Sequence, residues 1–178
     1  MDLEKYSELK KAYDAYGNSL LKHGKLLYKD TEKGIWGITP CEDIFNLFIK
    51  INLEKYKTFL DIGSGDGRAV LTAALFGINT VGIEIDDELI KVSNEIKNKL
   101  KIKNAVFLKK DFFGEDFSKY DVLFINPDKG FHLGLEDKLI KELKGRLFVY
   151  NRIFVPRFLK KTRMIWVGQM PIIEYTKC

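Results

Sequence analysis

The sequence predicts an α/β protein with a doubly wound, mostly parallel seven-strand sheet that ends in an antiparallel hairpin. From residue 58 onward, short β-branched or aromatic runs alternate with segments of helical periodicity, as in parallel strands joined by helices. Near the end of the chain, two further apolar runs are separated only by Gly168-Gln169, which is typical of a hairpin. The first core strand enters a turn with three glycines, and open parallel sheets bind ligands at such strand ends.

The composition predicts one domain over residues 1–178, in which residues 1–52 precede a core of residues 53–178. The chain is 46% hydrophobic and 31% charged, and its 30 basic and 25 acidic residues give a net charge of +5. This modest charge is compatible with nucleic acid, with an acidic protein surface or with neither. Two distant cysteines without zinc spacing, and no apolar run of membrane length, predict a cytoplasmic protein without a metal or a membrane partner.

Two helices and a loop are predicted ahead of the core. Apolar residues recur at helical spacing through about residue 22, which predicts an amphipathic first helix that Gly17 ends or bends. A second helix is expected after Thr39-Pro40, with Thr39 as its cap and Pro40 at the first helical position. The segment from Gly34 to Ile38 has apolar side chains, and we expect a loop there.

The core is predicted to alternate strands and helices. The strands are expected at residues 58–62, 80–85, 104–108, 120–125 and 146–150, and the helices at residues 67–77, 86–100 and 134–143. The C-terminal hairpin is expected to pair residues 163–167 with residues 171–175. A cluster of basic residues lies between the fifth and sixth strands: Arg152, Arg157, Lys160, Lys161 and Arg163.

The turn after the first core strand has the features of a nucleoside-binding turn. Gly63, Gly65 and Gly67 can adopt positive φ and have no Cβ, so a ligand can lie against the backbone. Glu84 ends the next strand roughly twenty residues later, the position from which an acid binds ribose. The spacing G-x-G-x-G differs from the G-x-G-x-x-G of dinucleotide folds, and no Gly-Lys-Ser or Gly-Lys-Thr of a phosphate loop follows.

Acidic residues flank this turn and select among nucleosides. Asp61 and Asp66 would repel a diphosphate but attract a cationic ligand. S-adenosylmethionine, which carries a sulfonium and an ammonium group, is a ligand of this kind.

The stretches from Asp61 to Gly67 and from Val81 to Asp86 resemble the first two signature motifs of class I S-adenosylmethionine-dependent methyltransferases. The resemblance implies S-adenosylmethionine as the cofactor. It assigns Asp61, Gly63, Gly65 and Gly67 to the methionine end, Glu84 to the ribose, and Asp111 and Phe112 to the adenine. Asp86 would either border the adenine or cap the helix that follows it.

Asn126 and Pro127 follow the fourth core strand, where this family contacts the group that is methylated. Enzymes that methylate the amino groups of adenine, cytosine or glutamine are similar in Asn-Pro, but usually continue with Pro and then Tyr or Phe, whose ring stacks on a flipped base. Here Asp128 and Lys129 follow instead, so the stacking ring is missing unless Phe131 replaces it.

A second resemblance, to compact protein-lysine methyltransferases, covers Thr39-Pro40, residues 136–145 and residues 148–156. It implies a macromolecular amine as the acceptor, with a protein lysine favoured over a nucleobase. We therefore expect an S-adenosylmethionine-dependent N-methyltransferase with Asn126 and Pro127 as its catalytic residues. The alternatives are a nucleic-acid methyltransferase, whose phosphates the basic cluster would bind, and a non-catalytic module that binds S-adenosylmethionine.

Two further segments are candidates near the acceptor. The apolar segment around Trp36 is expected to cover the acceptor entrance, and His132 titrates in the range required of a proton acceptor. The sequence does not define an oligomeric state.

Overall fold

The computed structural model describes residues 2–178. The helices are α1 (Leu3–Lys22), α2 (Cys41–Lys50), α3 (Arg68–Ala74), α4 (Asp87–Lys99) and α5 (Leu135–Glu142). The strands are β1 (Tyr28–Thr31), β2 (Gly34–Gly37), β3 (Thr58–Ile62), β4 (Asn79–Glu84), β5 (Ala105–Lys109), β6 (Val122–Ile125), β7 (Arg146–Tyr150), β8 (Lys160–Val167) and β9 (Met170–Thr176). No helix in this part of the chain is long and apolar enough to cross a membrane.

Seven of the strands form one sheet in the order β5-β4-β3-β6-β7-β9-β8. Strands β3 to β7 pair in parallel, and β9 is antiparallel to both β7 and β8. This arrangement confirms the predicted fold class. The chain order reverses at β3, which lies between β4 and β6, and the carboxyl ends of these three strands define the ligand-binding edge.

The predicted loop at residues 34–38 is wrong. Gly34–Gly37 forms β2, which pairs with β1 in a separate two-stranded hairpin that spans Tyr28–Gly37. Thr31 pairs with Gly34, so only Glu32 and Lys33 form the turn. Neither is a glycine or an asparagine, the usual residues of a two-residue turn, and the hairpin signal is therefore weak in the sequence.

Gly17 does not end the first helix, as one of its two predicted roles required, because α1 continues through it to Lys22. A Cβ at Gly17 would lie 3.8 Å from side-chain atoms of Leu27 and Ile38. These two residues flank the hairpin on either side, so Gly17 is a contact point between α1 and the ends of the hairpin.

The second helix begins one residue later than predicted. Pro40 is the residue that precedes α2, with φ of −57° and ψ of 131°, and Thr39 does not cap the helix. The Thr39 hydroxyl instead accepts a hydrogen bond from the Asn126 side chain at 3.0 Å. Thr39 is therefore part of the site at the carboxyl ends of the strands.

The sixth core strand is longer than predicted, because β8 begins at Lys160 rather than at residue 163. The guanidinium group of Arg163 pairs with the buried carboxylate of Glu174 on β9, and Arg146 on β7 pairs with the same carboxylate. Arg163 thus neutralises a buried acid inside the sheet, which leaves a smaller basic cluster than the sequence suggested.

Two apolar clusters cover the two faces of the sheet. Phe59 on β3 packs with Phe48 on α2 on one face, and Leu60 packs with Leu139 on α5 on the other. Alternate residues of a strand point to opposite faces, so neighbouring positions of β3 supply both clusters. This double coverage fixes β3 in the centre of the molecule, and with it the turn that follows.

We expect Phe48→Ala to lower the free energy of unfolding by about 3–5 kcal/mol, since the ring is fully buried against Phe59 and Phe76 and its removal leaves a cavity. Ile49→Ala, on the exposed side of the same helix, is the matched control and should change it by about 0.5 kcal/mol or less. Urea unfolding measures both values. Equal losses in the two variants would contradict the packing described here.

Candidate functional site

Two adjoining cavities lie at the carboxyl ends of β3, β4 and β6. Their volumes are about 250 Å³ and 200 Å³, and we call them the outer and the inner cavity. Glu84, Asp111 and Phe112 line the outer cavity, Asp61 and Gly65 line the inner one, and Gly63, Asn126 and Pro127 line both. The structure therefore brings together all of the sequence-predicted site residues except Gly67.

Gly67 lies on the side of the turn that faces away from the cavities. It precedes α3 with φ of 80°, and a Cβ there would lie 2.6 Å from both the Phe107 ring and the Ser93 hydroxyl. Gly63 and Gly65 also have positive φ, of 73° and 55°, and their backbones face the cavities. The three glycines thus have different tasks, and only two of them are placed to touch a ligand.

A buried ion pair fixes the end of the turn. The Arg68 guanidinium donates to both carboxylate oxygens of Asp66, with a shortest distance of 2.5 Å, and to the Thr39 carbonyl at 2.9 Å. The Tyr13 hydroxyl donates to the Asp66 carbonyl at 2.9 Å, and its ring lies 4.8 Å from the Arg68 guanidinium carbon. Asp66 is thereby neutralised by the protein itself, and α1 is tied to the turn.

Asp61 has no comparable partner. Its side chain is buried at the floor of the inner cavity, and none of the residues from 2 to 178 donates a hydrogen bond to it or pairs with it. Burial raises the pKa of this carboxyl group well above its usual range, and the nearby Glu84 and Asp66 carboxylates raise it further. The inner cavity therefore presents an uncompensated acid, which a cationic group would stabilise.

Glu84 is held rigidly by the backbone. One of its carboxylate oxygens accepts from the Gly65 N–H at 2.9 Å, and the other accepts from the N–H groups of Ile85 and Asp86 at 2.7 and 3.0 Å. These bonds join the glycine turn to the end of β4. A carboxylate oxygen can accept more than one hydrogen bond, so Glu84 keeps capacity toward the outer cavity.

Asp111 lies across the outer cavity from Glu84. One of its oxygens accepts from the Phe113 N–H at 2.9 Å, and Lys33 of the hairpin turn lies 2.5 Å from the other. The hydrogen bond from Lys33 lowers the pKa of Asp111. Asp86 caps α4 by accepting from the Leu89 N–H, as its alternative assignment predicted.

The hairpin Tyr28–Gly37 covers the cavities and is bound by polar contacts to each of the loops beneath it. Lys29 pairs with Asp86 after β4, and Lys33 pairs with Asp111 after β5. After β6, Asp128 accepts from the Ile35 N–H at 2.6 Å.

Lys129 completes this attachment by donating to the Lys33 carbonyl. Asp128 and Lys129 occupy the positions where amino-methylating enzymes of similar sequence carry Pro and an aromatic residue. In this chain both residues hold the hairpin, which explains the departure seen in the sequence.

Trp36 places its indole directly on the glycine turn. The side chain is buried, and a Cβ at Gly65 would lie 2.6 Å from the indole Nε1. Trp36 lines both cavities, as do Gly63 and Asn126. The indole thus forms a wall shared by the outer and inner cavities.

The residues of the loop between β6 and α5, which we name the acceptor loop after its predicted role, have distinct positions. Asn126 donates from its amide to the Thr39 hydroxyl, and Phe131 is buried in the core, so its ring is not available to stack on a base. His132 is exposed and lines neither cavity.

Asn151 contacts this site without lining either cavity, and the sequence did not single it out. Its side-chain amide donates to the Pro127 carbonyl at 3.2 Å and to the Asn126 side-chain oxygen at 3.4 Å. It directly follows β7, so the rule that ligand-binding residues follow parallel strands could have found it had it been applied to the fifth core strand.

We expect Gly65→Ala to displace Trp36 because the new methyl group would overlap its indole. Gly63→Ala is the matched control: its φ is also positive, but nothing lies within 4 Å of the added Cβ. Tryptophan fluorescence should shift to longer wavelength in Gly65→Ala only, since Trp36 would then be exposed to water. The same spectrum in both variants would contradict the contact between Trp36 and the turn.

Comparisons with known proteins place this geometry in a family. Residues 61–158 match the family model of the ANTKMT methyltransferase domain. Over 76 residues the chain is 37% identical to a lysine N-methyltransferase of Caenorhabditis elegans that is named for a subunit of the ATP synthase, covering 42% of this chain and 40% of that protein. Over 98 residues it is 38% identical to a protein-lysine N-methyltransferase of Saccharolobus islandicus strain REY15A, covering 53% of this chain and 60% of that protein.

These matches span less than two thirds of either relative. Among solved structures, an RNA methyltransferase from Salinibacter ruber in complex with S-adenosyl-L-homocysteine superposes with a TM-score of 0.69 at 22% identity, covering 78% of this chain and 92% of that one. The likeness shows the shared fold. Because the family model covers more than half of the sequence, the chain belongs to the ANTKMT methyltransferase domain family, within the class I S-adenosylmethionine-dependent methyltransferases that its motifs predicted.

Proposed function

We propose that this chain transfers a methyl group from S-adenosylmethionine to the side-chain amine of a protein lysine. The observation that carries the proposal is the buried, unpartnered carboxylate of Asp61, which lies in a cavity that also contains Asn126 and Pro127. The inner cavity thus contains both an acid that can bind a cation, Asp61, and two hydrogen-bond acceptors, the oxygens of Asn126 and Pro127.

The residues present fit the cofactor. Asp61 would hold the positive charge at the methionine end, and the backbones of Gly63 and Gly65 would lie against the ligand, with Gly67 supporting the turn. Glu84 would bind the ribose hydroxyls, while Asp111 and Phe112 would hold the adenine. When bound, S-adenosylmethionine supplies a methyl group on a positively charged sulfur.

The acceptor amine would be held by two oxygens, the side-chain oxygen of Asn126 and the carbonyl of Pro127. An amine that donates its hydrogens to these acceptors is fixed in position while its lone pair stays free for transfer. No residue of the chain needs to form a covalent bond in this reaction.

The exposed rim of the outer cavity suits the stem of a lysine side chain. Three large apolar side chains that line it are also exposed to solvent: Ile35 at 56%, Phe113 at 45% and Leu133 at 60%. A lysine can pass its methylene stem along such a surface. The positive charge of the neighbouring sulfonium would lower the pKa of the ammonium group and so promote loss of its proton before transfer. The two relatives named as lysine methyltransferases support the same acceptor class.

The acceptor class can be tested by incubating the chain with methyl-tritiated S-adenosylmethionine and a whole-cell extract. We expect protease, and not nuclease, to release the label, and acid hydrolysis to yield methyllysine. Asn126→Ala should lower the labelling rate by about tenfold because one acceptor of the amine is lost. Asn98→Ala, at an exposed position of α4, is the matched control and should leave the rate unchanged.

Nuclease release of the label would contradict the lysine acceptor and favour a nucleic-acid methyltransferase. Cofactor binding with no label transfer in any fraction would favour a non-catalytic module.

The role of Asp61 predicts a pH-dependent affinity. Binding of a cation favours the ionised carboxylate, so below the raised pKa of Asp61 binding should release up to one proton and tighten by up to about tenfold for each unit by which the pH rises. In Asp61→Asn we expect affinity for S-adenosylmethionine to fall by about 10- to 100-fold and this proton release to vanish. Calorimetry in two buffers with different ionisation enthalpies measures both quantities.

Two controls separate this charge effect from misfolding. 5′-Methylthioadenosine, which lacks the amino-acid end and the sulfonium, should bind wild type and Asp61→Asn equally. In the free protein, the free energy of unfolding should fall as pH rises from the usual pKa of an aspartate toward the raised pKa of Asp61. In this range the unfolded chain has already lost the proton that the folded chain keeps. Asp61→Asn should not show this fall. Weaker binding of both ligands in the variant would refute the assignment.

A further inference from the structure

We propose that Asn151 is a positioning residue that fixes the two oxygens which receive the acceptor amine. This inference rests on the proposed function, since it assumes that Asn126 and Pro127 bind the amine. It extends that function to a residue on a different strand end.

The sheet brings Asn151 next to the acceptor loop. It directly follows β7, which pairs in parallel with β6, and the acceptor loop directly follows β6. The carboxyl ends of neighbouring parallel strands lie at the same edge, so residues distant in sequence meet there. Asn151 is only 8% exposed, so its polar side chain points into the protein rather than into solvent.

Both ends of the Asn151 amide are engaged. Its nitrogen donates to the Pro127 carbonyl at 3.2 Å and to the Asn126 side-chain oxygen at 3.4 Å. Its oxygen accepts from the N–H groups of Ile153 and Phe154 at 3.0 and 3.2 Å. The side chain therefore links the chain after β7 to the two acceptor oxygens.

The backbone of Asn151 is strained in order to make these contacts. Its φ is 138°, and the other two non-glycine residues with positive φ in the described chain, Asn52 and Lys101, are exposed. A side chain rarely occupies this region unless its surroundings impose it, and such strain is concentrated at functional sites. The enrichment of asparagine at positive φ lies mostly in the left-handed α region, far from 138°, so the residue type alone does not account for this conformation.

The contacts restrict how an amine can bind. Each acceptor oxygen has two lone pairs, and a hydrogen bond from Asn151 occupies one on each, which leaves the others for the amine. Thr39 holds the Asn126 amide from its other end at 3.0 Å. Turning the Asn126 oxygen away would break the contact with Asn151, because two amide NH2 groups would then face each other.

The decisive variant is Asn151→Asp. A carboxylate has nearly the same size and keeps the acceptor for the Ile153 and Phe154 N–H groups, but it loses both donors. We expect the maximal rate of label transfer to the protein extract to fall by about tenfold or more. The S-adenosylmethionine concentration that gives half of this rate, and the affinity measured by calorimetry, should change less than about twofold.

The new carboxylate gives a second signature. A negative charge beside the amine favours the ammonium form, so the acidic limb of the rate profile should move to higher pH by about one unit or more. A carboxylate at a position remote from the amine would not move this limb. Asn151→Gly serves as a second variant, because it relieves the backbone strain and removes the donors. Relief of the strain offsets the loss of the side-chain hydrogen bonds, so its melting temperature should change little while its rate falls.

Wild-type rates and an unshifted pH profile in both variants would overturn the role of Asn151 and leave the proposed function intact. A fall in rate accompanied by equal losses of melting temperature and cofactor affinity would also overturn it, in favour of a structural role. If the wild-type chain labels no acceptor, the proposed function itself fails, and the role of Asn151 fails with it.

Discussion

The site is organised by negative charge that the protein neutralises only in part. Three carboxylates converge behind the glycine turn, and two of them are satisfied from within: Asp66 by the Arg68 guanidinium, and Glu84 by three backbone N–H groups. Asp61 is buried between them and has no partner among the described residues. Burying an unpaired acid costs stability, and a cationic ligand offsets that cost. The proposed preference for a positively charged nucleoside follows from this imbalance.

The hairpin Tyr28–Gly37 turns the open edge of the sheet into two partly enclosed cavities. It has little buried surface of its own, and its polar bridges reach the loops after β4, β5 and β6. Through Trp36 it also covers Gly65. The cofactor and acceptor regions thus share a wall that is built from the N-terminal part of the chain. Asp128 and Lys129 hold this wall where related sequences present a ring to a base, and this difference is consistent with an acceptor that needs no stacking.

Local patterns made the sheet and the glycine turn predictable from the sequence. Strand and helix periodicity, glycine spacing and a strand-end acid are each visible within a few residues. The hairpin was not predicted because its turn, Glu32-Lys33, lacks the usual turn residues and its stabilising contacts are distant in sequence. The position of Asn151 beside Pro127, 24 residues away in sequence, depends on the pairing of β6 with β7. The sequence shows Asp128 where similar enzymes have proline. Its contact with the hairpin is apparent only from the structure, because Ile35 is distant in sequence.

A crystal structure of the chain with S-adenosyl-L-homocysteine tests the central claim most directly. The account predicts that the ammonium group of the ligand lies within hydrogen-bonding distance of Asp61 in the inner cavity, with its adenine between Asp111 and Phe112 and the hairpin closed over both. A ligand bound in the reverse direction, or with its amino-acid end directed away from Asp61, would contradict it.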